Sequence, residues 1–125
     1  MLRETDAVAT LAVKDLGEAA RFYEQTLGLS RAGAEGNEVI VLKSGDTTIN
    51  VYRSSFAGTN KATALTWPVD DVEDVVRTLK SKGVTFEHYD LPNTRREGDV
   101  HVSGDVKVAW FKDPDGNILS VVNHR

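Results

Sequence analysis

Histidine and cysteine, which often carry acid–base, nucleophilic or metal chemistry, are scarce in this chain. Its three histidines are His88, His101 and His124, and it has no cysteine. No histidine lies at helical or strand spacing from another histidine or from a pair of carboxylates, so no metal-ligand motif is apparent. The absence of cysteine excludes disulfides, thiolate nucleophiles and sulfur-ligated metals. Chemistry must therefore come from isolated side chains that the fold brings together.

The histidines and serines each have a plain structural explanation. We expect every histidine to be exposed or locally hydrogen-bonded. His101 is the best acid–base candidate, because its predicted loop, residues 90–104, is long enough to flank a ligand site. Ser120 and the serines at 54–55 have no Gly-x-Ser-x-Gly context, which argues against a serine nucleophile.

The composition is that of an ordinary globular protein. The 125 residues carry a net charge of −4, with 40% hydrophobic and 27% charged residues. This length suits a single domain, residues 1–125, with its own core. The acidic balance argues against a nucleic-acid partner, and no apolar run approaches the length of a membrane span. Because no charged leader precedes an apolar stretch, we expect a cytoplasmic protein with no membrane partner.

A repeated pattern indicates the architecture. Asp15 and Asp71 each follow a strand-like segment and precede apolar residues spaced i, i+3, i+4 and i+7, the stripe of one helical face. Each carboxylate is placed to cap its helix, and Gly28 and Gly83 suit the helix ends. Such a repeat predicts two similar modules with a ligand site between them. The expected divisions are a first module at 6–53, a linker at 54–61 and a second module at 62–125.

Each module is predicted to contain a strand, a helix and two or three further strands. In the first module the helix ends near Leu27, and the expected strands are 6–13, 30–36, 38–43 and 47–53. In the second module the helix ends near Lys82, and the expected strands are 62–69, 84–89, 106–112 and 117–123. The Asp-Pro-Asp-Gly turn at 113–116 predicts that the last two strands form a hairpin.

Four segments of the chain resemble the vicinal oxygen chelate superfamily, which includes glyoxalase I, extradiol dioxygenases and bleomycin-resistance proteins. They are Leu11–Leu16, Phe22–Leu29, Pro68–Val72 and Lys112–Asn117. The resemblance covers essentially the whole chain. It implies an α+β fold in which two βαβββ modules form a cupped mixed sheet, with the helices on the outer face and a ligand inside the cup. It also implies a homodimer, which would cover exposed sheet edges.

The positions at which the resemblance implies metal ligands hold unsuitable residues. Metal-using members usually have a histidine seven residues before the aspartate of the strand–helix junction, and this position falls on Val8 and Ala64. The other implied ligand positions are Asn50 and Ser120. Val and Ala have no lone pair, and neutral Asn and Ser oxygens are weak substitutes for imidazole or carboxylate. We therefore expect no metal ion and no other cofactor.

Strand alternation from these four positions predicts which side chains face the cup. Small and hydroxylated residues dominate this inner wall, as in a small-molecule pocket, although loops or a partner chain are alternative occupants of the space. Trp67 belongs with the bulkier side that packs on the helices, whereas the sequence leaves the direction of Trp110 open. The predicted ligand-binding residues are Thr10, Thr48, Asn50, Tyr52, Thr66, Trp110 and Ser120.

Three functions remain open from the sequence. We favour a metal-independent protein that holds a small, partly aromatic molecule, as the bleomycin-binding relatives do. A lyase, isomerase or dioxygenase with a divalent metal is the second, which the fold supports and the ligand positions oppose. The third is a metal-independent enzyme that uses His101, or Tyr52 near Asn50, as an acid–base group. No catalytic residue follows from the sequence, and whether the protein is an enzyme stays undecided.

Overall fold

The computed structural model describes residues 1–123, except for the side chain of Glu35. In it, the aspartate at the start of each repeat caps a helix. The Asp15 carboxylate accepts a hydrogen bond from the Glu18 N–H at 3.0 Å, and Asp71 accepts one from the Asp74 N–H at 3.0 Å. The chain divides into two compact units, with the boundary after Thr59. This boundary lies inside the predicted linker. His124 lies outside the described residues.

The first unit has the predicted order of strand, helix and three further strands. Its elements are a short 3₁₀ turn at Leu2–Glu4, β1 at Ala9–Val13, α1 at Leu16–Ala20, a π-helical segment at Arg21–Thr26, β2 at Ser30–Glu35, β3 at Val39–Ser44 and β4 at Thr47–Arg53. Gly28 follows the helix with φ +81°, a conformation in which a side chain would be strained. The sheet order is β1-β4-β3-β2, with β1 and β4 parallel and the other pairs antiparallel.

The second unit repeats this order with additional strands. Its elements are β5 at Thr63–Pro68, α2 at Val72–Ser81, β6 at Phe86–Glu87, β7 at Arg95–Glu97, β8 at Val100–Ser103, β9 at Val106–Lys112 and β10 at Ile118–Val122. The sheet order is β5-β10-β9-β8-β7, and β6 also pairs with β9. Strand β10 is parallel to β5 and antiparallel to β9. The two mixed sheets and two helices confirm the predicted α+β class. Within residues 1–123, no helix has the length and apolar character needed to cross a membrane.

The prediction of a loop over residues 90–104 is wrong, because β7 and β8 form a hairpin there. Glu97 pairs with Val100, so the turn is the dipeptide Gly98–Asp99, and Gly98 has φ +64°. A glycine followed by aspartate is a recognised signal for a two-residue hairpin turn. The hairpin places His101 on a strand, with a relative exposure of only 1%.

Each unit buries the sheet face that packs against its helix, as alternation predicted. The buried residues of the first unit include Leu11, Val13, Tyr23, Ile49 and Val51. Those of the second unit include Val76, Ala109, Phe111, Leu119 and Val121. Helix α1 contacts β3 and β4, and α2 contacts β8, β9 and β10. Trp67 stacks on Phe111 with ring centroids 6.5 Å apart, which confirms that it belongs to the core.

The turn between β9 and β10 is held by a buried carboxylate. Asp113 Oδ1 accepts hydrogen bonds from the backbone N–H groups of Asp115 at 3.0 Å and Asn117 at 2.8 Å. Its Oδ2 accepts one from Asn117 Nδ2 at 2.8 Å. Asp113 and Asn117 are both buried, so water cannot readily replace these bonds. This network fixes the predicted hairpin and therefore the register of the two central strands.

We predict that Asp113→Ala lowers the free energy of unfolding by about 2–3 kcal/mol, because it leaves buried donors without an acceptor. Urea denaturation measures this change. Asp46→Ala is the matched control, since Asp46 is exposed in the turn between β3 and β4, and we expect a change within about 0.5 kcal/mol. Equal losses in the two variants would contradict the role assigned to Asp113.

Candidate functional site

Four of the predicted ligand-binding residues lie together in the first unit. Thr10 of β1 is the register partner of Asn50 of β4. Thr48, Asn50 and Tyr52 alternate along β4 with two buried core residues, so they share the face directed away from the core. Asn50 is half-buried, and Tyr52 is 38% exposed. The four residues thus lie where alternation predicted, and their part in ligand binding stays a prediction.

The other three predicted residues form one patch in the second unit, which we call the polar face: Thr66, Trp110 and Ser120. Ser120 of β10 is the register partner of Thr66 on one side and of Trp110 on the other. The Thr66 and Ser120 hydroxyl oxygens are 2.8 Å apart. The Trp110 indole N–H donates to Thr63 Oγ1 at 3.1 Å, which fixes the indole ring. Since Ala109 and Phe111 are buried on the side of α2, Trp110 is on the opposite side, and its direction is settled.

An aromatic cluster continues the polar face toward β8. The His101 ring lies edge-on to the Trp110 ring, with centroids 4.9 Å apart, and the Tyr89 ring is 5.2 Å from Trp110. Tyr89 and His101 are 6.2 Å apart, and His88 is 6.5 Å from His101. Sequence reasoning missed Tyr89, because no motif marks it, and brought His101 forward only as a loop residue. The hairpin of β7 and β8 assembles the cluster.

His101 is held in one tautomer at the base of this cluster. Its Nε2 accepts a hydrogen bond from the Tyr89 backbone N–H at 3.0 Å, so the proton of the neutral ring is on Nδ1. Burial lowers the pKa of His101, and the nearby charges of His88 and Arg96 act in the same direction. The backbone groups of Val108 and Tyr89 oppose this shift. The dominant effect of burial favours a neutral imidazole.

A cleft of about 450 Å³ opens beside His101, and we call it the histidine cleft. Its lining residues are His88, Tyr89, Asp90, Thr94, Arg95, Arg96 and His101. Two buried atoms of this lining, Tyr89 Oη and His101 Nδ1, have no hydrogen-bond partner among residues 1–123. Burial also raises the pKa of Tyr89, so its hydroxyl stays protonated. Such orphaned atoms are rare in native proteins and call for a specific explanation.

One rim of the histidine cleft is fixed by a charged network. Asp99, in the turn between β7 and β8, accepts from Lys80 Nζ at 2.7 Å and lies 2.7 Å from His88 Nε2. The hydrogen bonds from Lys80 and His88 hold the pKa of Asp99 below its ordinary value. Because Lys80 belongs to α2, this network ties the hairpin to the helix. His88 is thus exposed and locally hydrogen-bonded, as predicted.

The residues present do not fit a metal ion at the ligand positions that the resemblance implies. Val8 and Ala64 have no donor atom, and the Ser120 hydroxyl is 2.8 Å from that of Thr66. Across residues 1–123, no three histidine, aspartate or glutamate side chains gather closely enough to hold an ion. Neutral hydroxyl and amide oxygens alone bind a divalent transition metal poorly.

Comparison with known proteins finds matches over nearly the whole chain. The sequence model of the Glyoxalase/Bleomycin resistance protein/Dioxygenase superfamily matches residues 6–121. The uncharacterized protein YraH of Bacillus subtilis (strain 168) is 27% identical over 125 residues, covering 89% of this chain and 91% of YraH.

Two solved structures illustrate the shared fold. A glyoxalase family protein from Enterococcus faecalis has a TM-score of 0.74 at 19% identity, covering 98% of this chain and 99% of its own. A bleomycin resistance determinant encoded on the transposon Tn5 has a TM-score of 0.71 at 20% identity, covering 96% of this chain and 98% of its own. At these identities the likeness concerns the fold alone.

We predict that His101 remains a neutral, Nδ1-protonated imidazole below pH 6.5, its ordinary pKa. Two-dimensional ¹⁵N–¹H NMR of the ring nitrogens during a pH titration reports both tautomer and pKa. The unfolded chain takes up a proton at this histidine near pH 6.5 whereas the native protein does not, so this contribution to stability is complete above pH 6.5. It declines as the pH falls toward the native pKa, by up to about 1.4 kcal/mol per pH unit.

His101→Gln is the control, because it removes this titration from both states. The wild type is expected to lose more stability than the variant between about pH 7 and about pH 5 in urea denaturation. An Nε2-protonated ring, or a native pKa above 6.5, would contradict the assignment.

Proposed function

Because the chain belongs to the Glyoxalase/Bleomycin resistance protein/Dioxygenase superfamily, we propose that it is a metal-independent small-molecule-binding protein. The polar face is the observation that carries the proposal. It offers an indole ring and the exposed Thr66, whose hydroxyl is hydrogen-bonded to that of the buried Ser120, on the side of the second sheet opposite α2. A flat aromatic surface combined with a few fixed polar groups is typical of a small-molecule site. The first unit offers a comparable set in Thr10, Thr48, Asn50 and Tyr52.

The chemistry of the side chains supports binding without an ion. The family positions held by Val8 and Ala64 supply no lone pair, so shape and hydrogen bonds are what remain to hold a ligand. One protein of similar fold is a bleomycin resistance determinant encoded on Tn5, so we choose bleomycin as the first ligand to test. Bleomycin carries planar aromatic groups, and Trp110 is suited to contact such a ring.

A metal-independent enzyme is the second candidate, and one observation favours it. His101 is buried and lines the histidine cleft, and its Nδ1–H is a proton donor, because Nε2 already accepts the Tyr89 N–H. A lyase or isomerase reaction needs such a group to move a proton. The binding function ranks first because no second titratable group is placed as a hydrogen-bonded partner of His101 within residues 1–123.

We also propose that the protein is cytoplasmic and forms a homodimer. The edge strands are β1 and β2 in the first unit and β5 and β7 in the second, and each pairs with a described strand on one side only, so a second copy can cover an edge. Closed two-fold dimers are the commonest arrangement for proteins of this size.

We predict that metal-free bleomycin, or another aromatic antibiotic from a broad collection, binds with one molecule per chain and changes the fluorescence of Trp110. Isothermal titration gives the affinity. Trp110→Phe is expected to weaken binding about tenfold, since a large aromatic anchor of a site typically contributes at least this much.

Trp67→Phe is the matched control, because Trp67 lies on the opposite face of the same sheet and stacks on Phe111. Its affinity is expected to equal that of the wild type, and its remaining tryptophan still responds to the ligand. A well-folded protein that binds nothing in the collection, or equal losses in both variants, would count against the proposal.

A further inference from the structure

Two residues that line the histidine cleft each have one buried hydrogen-bonding atom without a partner among residues 1–123. The atoms are His101 Nδ1 and Tyr89 Oη. Because Nε2 of His101 accepts the Tyr89 N–H, Nδ1 carries the proton and is a donor. The Tyr89 hydroxyl is protonated and is also a donor. An unpaired buried donor is costly, so a partner with acceptor atoms is expected for each of them.

The two arginines of the cleft differ in whether their side chains already have a partner. Arg95 donates to Glu97 through Nε at 3.0 Å, and its Nη2 lies 2.9 Å from the same carboxylate oxygen. Arg96, the next residue, makes no side-chain hydrogen bond or ion pair with any described residue. It is the register partner of His101 across β7 and β8, so both side chains lie on one face of the hairpin. Arg96 is exposed and accessible to a ligand.

The other polar groups of the cleft lining add few free acceptors, so the lining favours an anionic ligand. Thr94 Oγ1 already donates to the Pro92 carbonyl at 2.9 Å, and His88 is engaged with Asp99. Asp90 is the one carboxylate in the lining, and it is exposed. Among the described lining residues, the groups without a hydrogen-bond partner are therefore donors, and the exposed cation without an ion pair is Arg96, whose guanidinium fork matches carboxylate and phosphate oxygens.

We propose that the histidine cleft binds the oxyanion end, a carboxylate or a phosphate, of a small aromatic molecule whose ring contacts Trp110. Arg96 pairs with the oxyanion, and the His101 and Tyr89 donors complete its hydrogen bonds. The edge-on contact between the His101 and Trp110 rings, at 4.9 Å, joins the cleft to the polar face. The inference therefore rests on the proposed function and names the chemical class of its ligand.

Titration with three small probes tests this assignment. Benzoate and phenyl phosphate carry the two oxyanions, and benzamide has the size and ring of benzoate without its charge. Isothermal titration at constant ionic strength is expected to show that at least one oxyanion binds about tenfold or more tightly than benzamide. In ¹⁵N–¹H NMR the bound oxyanion is expected to shift the His101 Nδ1 signal, and the fluorescence of Trp110 is expected to change.

Two matched variants separate a specific site from general surface charge. Arg96→Gln is expected to weaken oxyanion binding about tenfold or more, and Arg95→Gln by less than about threefold, because Arg95 is already engaged with Glu97. Equal weakening in both variants, or benzamide binding as tightly as the oxyanions, would overturn the proposal. An unmoved His101 signal would do so too, since a bridging water then satisfies the two donors.

The outcomes also distinguish this inference from the proposed function. If an aromatic antibiotic binds in a Trp110-dependent way while benzoate and phenyl phosphate do not bind, the oxyanion site is wrong and the binding function stands. If an oxyanion binds through Arg96 without any effect on Trp110, and no antibiotic binds, the cleft is an anion site and the function proposed for the polar face is wrong.

Discussion

The register of β9 against β10 is the constraint on which the candidate site depends. Side chains alternate strictly along these strands, so Ala109 and Phe111 enter the core while Trp110 faces away from it. A slip of one residue in either strand would expose its core side chains and bury the polar ones. The Asp113 carboxylate, through its bonds to the backbone of Asp115 and Asn117, determines where the two strands turn. A hydrogen-bonded turn thus sets the positions of Trp110 and Ser120 relative to one another.

The site that this register creates favours recognition by donors and rings over coordination of an ion. Trp110 is fixed by its bond to Thr63, and His101 by the backbone of Tyr89, so both rings are oriented before any ligand arrives. Groups that are already oriented lose little conformational entropy when a ligand binds. The same burial that keeps His101 neutral removes the electrostatic attraction that a charged imidazole would give to an anion. In the proposed oxyanion site that attraction comes from Arg96, which is exposed.

Much of the fold follows from local patterns. The spacing after Asp15 and Asp71 predicts both helices, and the Asp-Pro-Asp-Gly segment predicts the last hairpin. The strand alternation also places Thr66, Ser120 and the helix-facing core correctly. These features are predictable because they depend on residues close together in sequence.

The histidine cleft could not be predicted in the same way. Its walls come from residues near 88 and near 101, and their approach depends on the hairpin turn at Gly98–Asp99. Pro92, Asn93, Gly98 and Gly104 favour a loop over this stretch, and the charged residues 95–97 show no apolar alternation that would predict a strand. The burial of His101 and the lack of a partner for the Tyr89 hydroxyl both result from tertiary packing. Local sequence patterns do not predict such packing. The direction of Trp110 likewise required the register of three strands.

The central claim is that this chain holds its ligand without a metal ion. Its most direct test is elemental analysis by inductively coupled plasma mass spectrometry on native protein expressed in medium rich in iron, manganese, nickel and zinc and purified without chelators. The account predicts far less than one metal atom per chain, with no difference between the wild type and an Asn50→Ala variant. One transition-metal atom per chain in the wild type, lost when Asn50 is replaced, would contradict it.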